Sequence, residues 1–107
     1  MRAVLFFDLP TLTSTDQRNY RVFRKNLIKI GFFMLQESVY VKMSIDMQSL
    51  DSSISKIKKF LPPKGSVIIL RLTEKQFSSK LVLLGNDVTD VVSSDERVVI
   101  LWVEEYI

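Results

Sequence analysis

A run of five consecutive apolar residues, Ala3 to Phe7, constrains the fold more than any other feature of the chain. A strand with one face in water alternates apolar and polar residues, so an unbroken apolar run predicts a strand buried on both faces. Asp8 and Pro10 end the run, because proline has no N–H with which to continue a ladder. We therefore expect a strand in the centre of a sheet. The 107-residue chain is long enough for one core and is expected to form a single domain over 1–107.

Two segments repeat apolar residues at the three- and four-residue spacing of an amphipathic helix. The first covers about residues 15–30 and begins with Ser14 and Gln17 at the spacing of a capping box. The second covers about residues 47–60, starts after Asp46 and stops before two consecutive prolines. Both segments are long enough for helices that cover a sheet.

The remaining apolar segments are typical of strands. The sequence predicts two short strands or one bent pair within residues 32–43, a strand from Ser66 to Leu72, a turn at 73–76, a short strand from Leu81 to Leu84, a loop over 85–96 and a last strand from Val98 to Val103.

The resulting order is β-α-β-β-α-β with an appended C-terminal strand, an α+β fold of the ferredoxin-like type. Both helices are expected to pack on one face of the antiparallel sheet, which leaves the other face in need of a cover. A second copy of the chain is the simplest cover, so the sequence predicts a homodimer. Residues about 97–107 are expected to form a tail strand that adds to the sheet of the partner protomer.

The composition excludes several classes of protein. The chain has no cysteine and no histidine, which excludes disulfides, thiolate nucleophiles, zinc fingers and the Ser-His-Asp triad. With only three glycines, it has no glycine-rich phosphate loop. No apolar segment has the length of a signal peptide core or a membrane span. We expect a cytoplasmic protein with no membrane partner.

Asp8 is the candidate catalytic and metal-binding residue. A carboxylate at the end of a central strand can bind a hard cation, and without histidine the expected metals are Mg²⁺ and Mn²⁺. Two copies of Asp8 would meet if the twofold axis of a dimer passed near the end of the first strand. The alternative is a structural role, because aspartate before proline often begins a turn.

Basic residues are concentrated in the first part of the chain. Residues 1–64 contain 11 Lys and Arg against 5 Asp and Glu, whereas residues 65–107 contain 4 against 7. The first helix carries a basic stripe that could bind the phosphates of a nucleic acid, and the alternative is an ordinary solvated helix face. The stripe consists of Arg18, Arg21, Arg24, Lys25 and Lys29. Phe7 and Tyr40 could stack on bases, but aromatic residues in strands are assigned first to the core.

The chain as a whole resembles a known family. Six segments of the chain are similar, in their order, to CRISPR-associated protein two of type II systems. They are VLFFDLP, RNYRVFRKNL, GFFMLQESVYVKM, PPKGSVIIL, LTEKQF and SDERVVIL. The resemblance runs from Ala3 to about Leu101. It implies a ferredoxin-like homodimer in which the C-terminal strand joins the sheet of the partner.

The resemblance also implies two functions. One is a metal-dependent endonuclease on RNA or DNA with Asp8 as the metal ligand, assisted by Arg18 and Arg21, and with Ser38 and Tyr40 in a neighbouring accessory segment. The other is a role in spacer acquisition, in which the homodimer bridges dimers of the CRISPR integrase and holds short double-stranded DNA. An effector nuclease and an accessory ring protein are expected functional neighbours.

Physical reasoning favours the role as a DNA-holding bridge. A site with one aspartate in each protomer lacks a separate general base and an acid for the leaving group. Two alternatives stay open: a stand-alone, toxin-like metal-dependent endoribonuclease, and a regulatory domain that binds a small metabolite at its dimer interface. The second of these leaves the basic first part of the chain unexplained.

Overall fold

The structure is a computed structural model, and it describes residues 1–85. In chain order the elements are β1 (Arg2–Asp8), α1 (Ser14–Lys29), β2 (Phe33–Gln36), β3 (Val39–Met43), α2 (Met47–Lys58), β4 (Ser66–Leu72) and α3 (Glu74–Ser78). The first six elements follow the predicted order. The loop predicted beyond Gly85 and the strand predicted at its far side lie outside the described residues, as does the tail over 97–107.

The four strands form one antiparallel sheet in the order β2-β3-β1-β4. β1 lies between β3 and β4, as its unbroken apolar run predicts. The α+β ferredoxin-like fold is therefore confirmed. The last residues of β1 lie beside the first residues of β3 and β4, since Phe6 pairs with Val39 and Asp8 pairs with Ser66.

One face of the sheet is covered by α1 and α2 and contains the main core. Leu5 and Phe7 of β1 point to this face and pack with Phe23 and Leu27 of α1 and Leu50 of α2, all of them buried. The three- and four-residue apolar spacing in the sequence thus identified the buried side of each helix.

The other face, called the open face, is covered only in part by residues 1–85. Phe77 of α3 packs on Val4 and Val41 in a second, smaller cluster. Nearer to the end of β1, the apolar side chains of Phe6, Ile68 and Leu70 remain 38%, 56% and 46% exposed. The chain therefore carries an apolar surface beside Asp8.

Two local predictions were wrong at the ends of helices. The N-cap of α1 is Thr13, whose hydroxyl accepts from the N–H of Asp16 while the Asp16 carboxylate accepts from the N–H of Thr13. The capping box predicted at Ser14 lies one residue too late. Residues 73–76 begin α3 and do not form a simple turn, because Thr73 and Gln76 make a second capping box.

The short strand predicted from Leu81 to Leu84 was also wrong. All four residues are exposed, and they lie beside Leu35 and Gln36 without pairing with a strand in the described part of the chain. A strand needs an edge that supplies hydrogen bonds to its backbone, and apolar composition alone does not provide one.

In the portion of the chain that the structure describes, no helix combines the length and the apolar character needed to cross a membrane.

Candidate metal site and basic helix face

Asp8 is the last residue of β1, and its side chain is exposed at the end of the sheet. Because side chains alternate along a strand, Asp8 lies on the open face, two residues beyond Phe6. Directly opposite Asp8 in the ladder is Ser66, the first residue of β4. Within residues 1–85, no hydrogen bond or ion pair engages the Asp8 carboxylate. This carboxylate can therefore bind a ligand without first breaking an internal contact.

The backbone around Asp8 is fixed by two neighbouring turns. The N–H of Phe7 donates to the carbonyl oxygen of Ser38 at 3.0 Å, and Ser38 has a φ of 64°. On the other side, Gly65 has a φ of 109°, and a Cβ there would lie 2.7 Å from the carbonyl oxygen of Asp8 and 2.6 Å from Cδ2 of Leu9. Only glycine combines this φ with so close an approach of the two chains. The strand end that presents Asp8 is therefore closely packed from both sides.

Phe7 and Tyr40 are core residues, as first assigned. Phe7 is 5% exposed and Tyr40 is 1% exposed. Their rings stack with centroids 5.6 Å apart and planes inclined by 29°. The ring of Phe7 also meets Phe23 edge-on, with centroids 5.3 Å apart. This packing anchors the strand that ends at Asp8, and a role of either ring in stacking on bases stays a prediction.

Arg24 lies apart from the rest of the predicted basic stripe. It is half-buried, its guanidinium lies over the ring of Tyr20 at 5.6 Å from the centroid, and its charge acts on the hydroxyl of Tyr40. Burial raises the pKa of Tyr40 to about 12, although the charge of Arg24 opposes this rise. Tyr40 is therefore neutral at physiological pH, and Arg24 joins α1 to β3.

The other four members of the stripe share one exposed side of α1, opposite the side that is buried on the sheet. They are Arg18, Arg21, Lys25 and Lys29. None of the four forms a salt bridge among the residues that the structure describes. The helix therefore presents a continuous cationic surface whose charge no carboxylate of residues 1–85 neutralises. This surface, consisting of these four residues, is called the α1 stripe below.

The chemistry of Asp8 fits a hard cation. Mg²⁺ prefers oxygen ligands and usually keeps several waters while binding one or two carboxylates. A single exposed carboxylate without an internal partner meets this requirement. Among residues 1–85, no group of three or more carboxylates comes together. Residues 1–85 therefore supply a single carboxylate to this site, and further ligands would have to be neutral oxygen donors, water, a nucleic-acid phosphate or groups from elsewhere in a dimer.

The sequence alone does not identify the two residues that adjoin Asp8 at the start of β4, Gly65 and Ser66. Both could have been found by pairing β1 with β4 in antiparallel register, which places the beginning of one strand against the end of the other.

Comparisons with known proteins agree with the fold and the sequence pattern. A sequence model of the family described as "CRISPR associated protein Cas2" matches residues 1–80. The crystal structure of Streptococcus pyogenes Cas2 at pH 6.5 superposes with a TM-score of 0.61, covering 79% of this chain and 100% of that one at 19% identity. At that identity the structural match supports the fold alone.

Two relatives match over nearly the whole chain, and both are named "CRISPR-associated endoribonuclease Cas2". The protein of Treponema denticola is 45% identical over 101 residues, covering 94% of this chain and 100% of the relative. The protein of Ligilactobacillus salivarius is 46% identical over 101 residues with the same coverage. The expectation that the sequence pattern raised is thus confirmed: the chain belongs to the CRISPR-associated protein Cas2 family.

Proposed function

We propose that this protein acts in CRISPR spacer acquisition, as a homodimer that bridges integrase dimers and holds short double-stranded DNA on its basic helices. The observation that carries the proposal is the α1 stripe, in which four exposed cations share one helix face without salt bridges in residues 1–85. Such a surface binds phosphates through charge and reads no sequence, as a protein that holds DNA of varied sequence requires.

The open face supports the dimer. Phe6, Ile68 and Leu70 form an exposed apolar surface on a sheet whose opposite face is covered by helices. A second copy of the chain would bury this surface, and it would double the length of the basic surface available to DNA. Because Asp8 continues the same face of β1, a twofold axis near this strand end would also bring two Asp8 carboxylates together.

The second part of the proposal is a metal-dependent endonuclease activity on RNA or DNA at Asp8. Mg²⁺ or Mn²⁺, when bound, would polarise a phosphodiester and activate water. In this activity Asp8 would hold the cation, and Arg18 and Arg21 would hold the nucleic-acid backbone. The chain has no histidine, and residues 1–85 place one carboxylate at the site, so this part of the chain lacks a dedicated general base. We therefore expect slow hydrolysis, and we place the DNA-holding role first.

The two parts can be separated by spacer integration in a defined mixture of integrase, target array and short duplex DNA. Reactions would contain the wild-type protein, no protein, Asp8→Asn, or Arg18→Gln with Arg21→Gln. We expect Asp8→Asn to support integration as the wild type does. The double variant should support none, like the reaction without protein. A control that removes two cations elsewhere, Arg71→Gln with Lys75→Gln, is expected to restore integration.

Two outcomes would contradict parts of this proposal. Full integration with the Arg18 and Arg21 double variant would refute the role of the α1 stripe in holding DNA. Loss of integration with Asp8→Asn, in a protein that remains folded and dimeric, would show that the metal site takes part in acquisition.

The second candidate function is a stand-alone endoribonuclease, which the names of both relatives favour. It predicts cleavage of RNA by the purified protein without integrase, dependence on Mg²⁺ or Mn²⁺, and loss of cleavage in Asp8→Asn. Full cleavage by Asp8→Asn would exclude Asp8 as the site of this activity.

A further inference from the structure

In residues 1–85 the metal site proposed at Asp8 has one carboxylate, and the structure places a second oxygen donor beside it. Asp8 and Ser66 are directly opposite each other in the antiparallel ladder of β1 and β4. Side chains of such a pair leave the sheet on the same face, with Cβ atoms roughly 4.5–5.5 Å apart. At this separation a carboxylate oxygen and a hydroxyl oxygen can contact one ion between them.

Both side chains are accessible for this task. Asp8 and Ser66 are exposed, and in the described part of the chain neither side chain is engaged in a hydrogen bond or an ion pair. The two flanking residues on this face, Phe6 and Ile68, are apolar and leave no competing ligand in the next row of the sheet. The strand end thus presents one carboxylate and one hydroxyl next to each other.

The backbone holds the pair together. Gly65 precedes Ser66, and it lies so close to Asp8 that a Cβ on Gly65 would be 2.7 Å from the carbonyl oxygen of Asp8. The ladder between β1 and β4 continues without interruption from Arg2 to Asp8. The start of β4 therefore cannot move away from the end of β1 without breaking close packing.

We propose that Ser66 is the second oxygen ligand that this chain supplies to the divalent cation at Asp8. The inference rests on the proposed metal role of Asp8. In a homodimer with its axis near this strand end, two aspartates and two serines would supply four oxygen donors, and water or phosphate would complete a six-coordinate site for Mg²⁺ or Mn²⁺.

The test is a titration of the full-length protein with Mn²⁺, with the free ion measured by its electron paramagnetic resonance signal. We expect Ser66→Ala to weaken Mn²⁺ binding by at least roughly tenfold, since loss of even an outer-shell partner of a metal site typically costs that much. Ser66→Thr should keep wild-type affinity because it retains the hydroxyl. Ser66→Asp should bind Mn²⁺ more tightly than wild type, since it adds a carboxylate. Ser78→Ala removes an exposed hydroxyl from α3 and should change nothing.

The outcomes separate this inference from the proposed function. If Asp8→Asn binds Mn²⁺ as tightly as the wild type, the metal site itself is refuted. If Asp8→Asn loses binding while Ser66→Ala keeps it, Asp8 remains the metal ligand and the role of Ser66 is overturned. Ser66→Asp with unchanged or weaker affinity would also overturn it.

Discussion

The guanidinium of Arg2 joins the first strand to the last described helix through Glu74. Its Nε donates to both carboxylate oxygens of Glu74, at 2.8 and 3.1 Å, and its Cζ lies 4.8 Å from the centroid of the Phe77 ring. The Arg2 side chain is largely buried, so the contact combines a charged hydrogen bond with packing. α3 is thereby fixed to the open face, where Phe77 covers Val4.

Arg2→Ala should therefore destabilise the protein by about 1–3 kcal/mol, because it removes a buried charged hydrogen bond and the contact with Phe77. Glu74→Gln should cost less, about 1 kcal/mol or below, since Glu74 is about half exposed and the packing of Arg2 is kept. Urea unfolding followed by circular dichroism measures both. Lys75→Gln, on the same helix but without a salt bridge in residues 1–85, is the control and should be neutral. Equal effects of all three substitutions would contradict the role of Arg2.

The raised pKa of Tyr40 predicts a specific dependence of stability on pH. The pKa is about 12 in the folded protein against an ordinary value of 10.0. Between these values the unfolded chain releases the phenolic proton while the folded protein keeps it, so the free energy of unfolding falls as pH rises, by up to about 1.4 kcal/mol per pH unit. Below pH 10 Tyr40 is protonated in both states and adds no slope.

Tyr40→Phe removes this titration and should make the decline of stability between pH 10 and 12 shallower than in the wild type. At pH 7 the same variant should be less stable by about 1 kcal/mol, because the interaction of the buried phenol with Arg24 is gone. Urea unfolding at a series of pH values measures both effects, and Tyr20→Phe is the control for removal of a phenol. If the wild type and Tyr40→Phe keep parallel pH profiles above pH 10, the raised pKa is wrong.

The sequence predicted those parts of the fold that depend on periodic apolar residues. The unbroken run from Ala3 to Phe7 placed β1 in the centre of the sheet, and the spacing of Phe23 and Leu27 identified the buried side of α1. These patterns are local, because the apolar residues of each helix or strand lie on the side that is removed from water on folding. Gly31, the residue after the predicted end of the first helix, has a φ of 102°, which lets the chain leave the helix in a left-handed conformation.

Contacts between distant parts of the chain could not be predicted in the same way. Phe77 is buried because α3 packs against the open face. There Arg2 binds Glu74, which is 72 residues further along the chain. Arg24 shares a helix with the α1 stripe, but its position on α1 turns it toward Tyr40. The pairing of Asp8 with Ser66 became visible only with the register of the sheet.

Gly65 should be among the least replaceable residues of the chain. Gly65→Ala is expected to cost about 2–4 kcal/mol, because it adds the strain of a positive φ and a clash with Asp8 and Leu9. Gly85 is the matched control: its φ of 99° is similar, but a Cβ there would meet no atom of the described residues within 4 Å. Gly85→Ala should therefore cost only about 1 kcal/mol, from backbone strain alone. Urea unfolding compares the two, and equal destabilisation would show that the close approach to Asp8 is unimportant.

The exposed part of the open face should be the dimer interface. Ile68→Lys places a charge in the middle of this apolar surface, where burial of an unpaired ammonium is unfavourable, and should weaken dimerisation by at least about a hundredfold. Light scattering after size-exclusion chromatography over a range of concentrations measures the change. Ile45→Lys alters a residue that is 94% exposed in the loop before α2, and it should leave the dimer intact. Dimerisation of Ile68→Lys at wild-type affinity would exclude the open face as the interface.

The α1 stripe should determine how strongly DNA binding depends on salt. Removal of one cation that neutralises a phosphate makes the slope of log K against log salt shallower by roughly 0.9 for duplex DNA. Arg18→Gln with Arg21→Gln should therefore make the slope shallower by about 2 for each protomer that binds the duplex. Fluorescence anisotropy with a labelled short duplex between about 50 and 200 mM salt measures the slope. The control Arg71→Gln with Lys75→Gln removes the same number of charges, and Arg71 already faces Asp51 at 3.6 Å. A slope that falls equally in both double variants would mean that net charge, and not the α1 stripe, governs the binding of DNA.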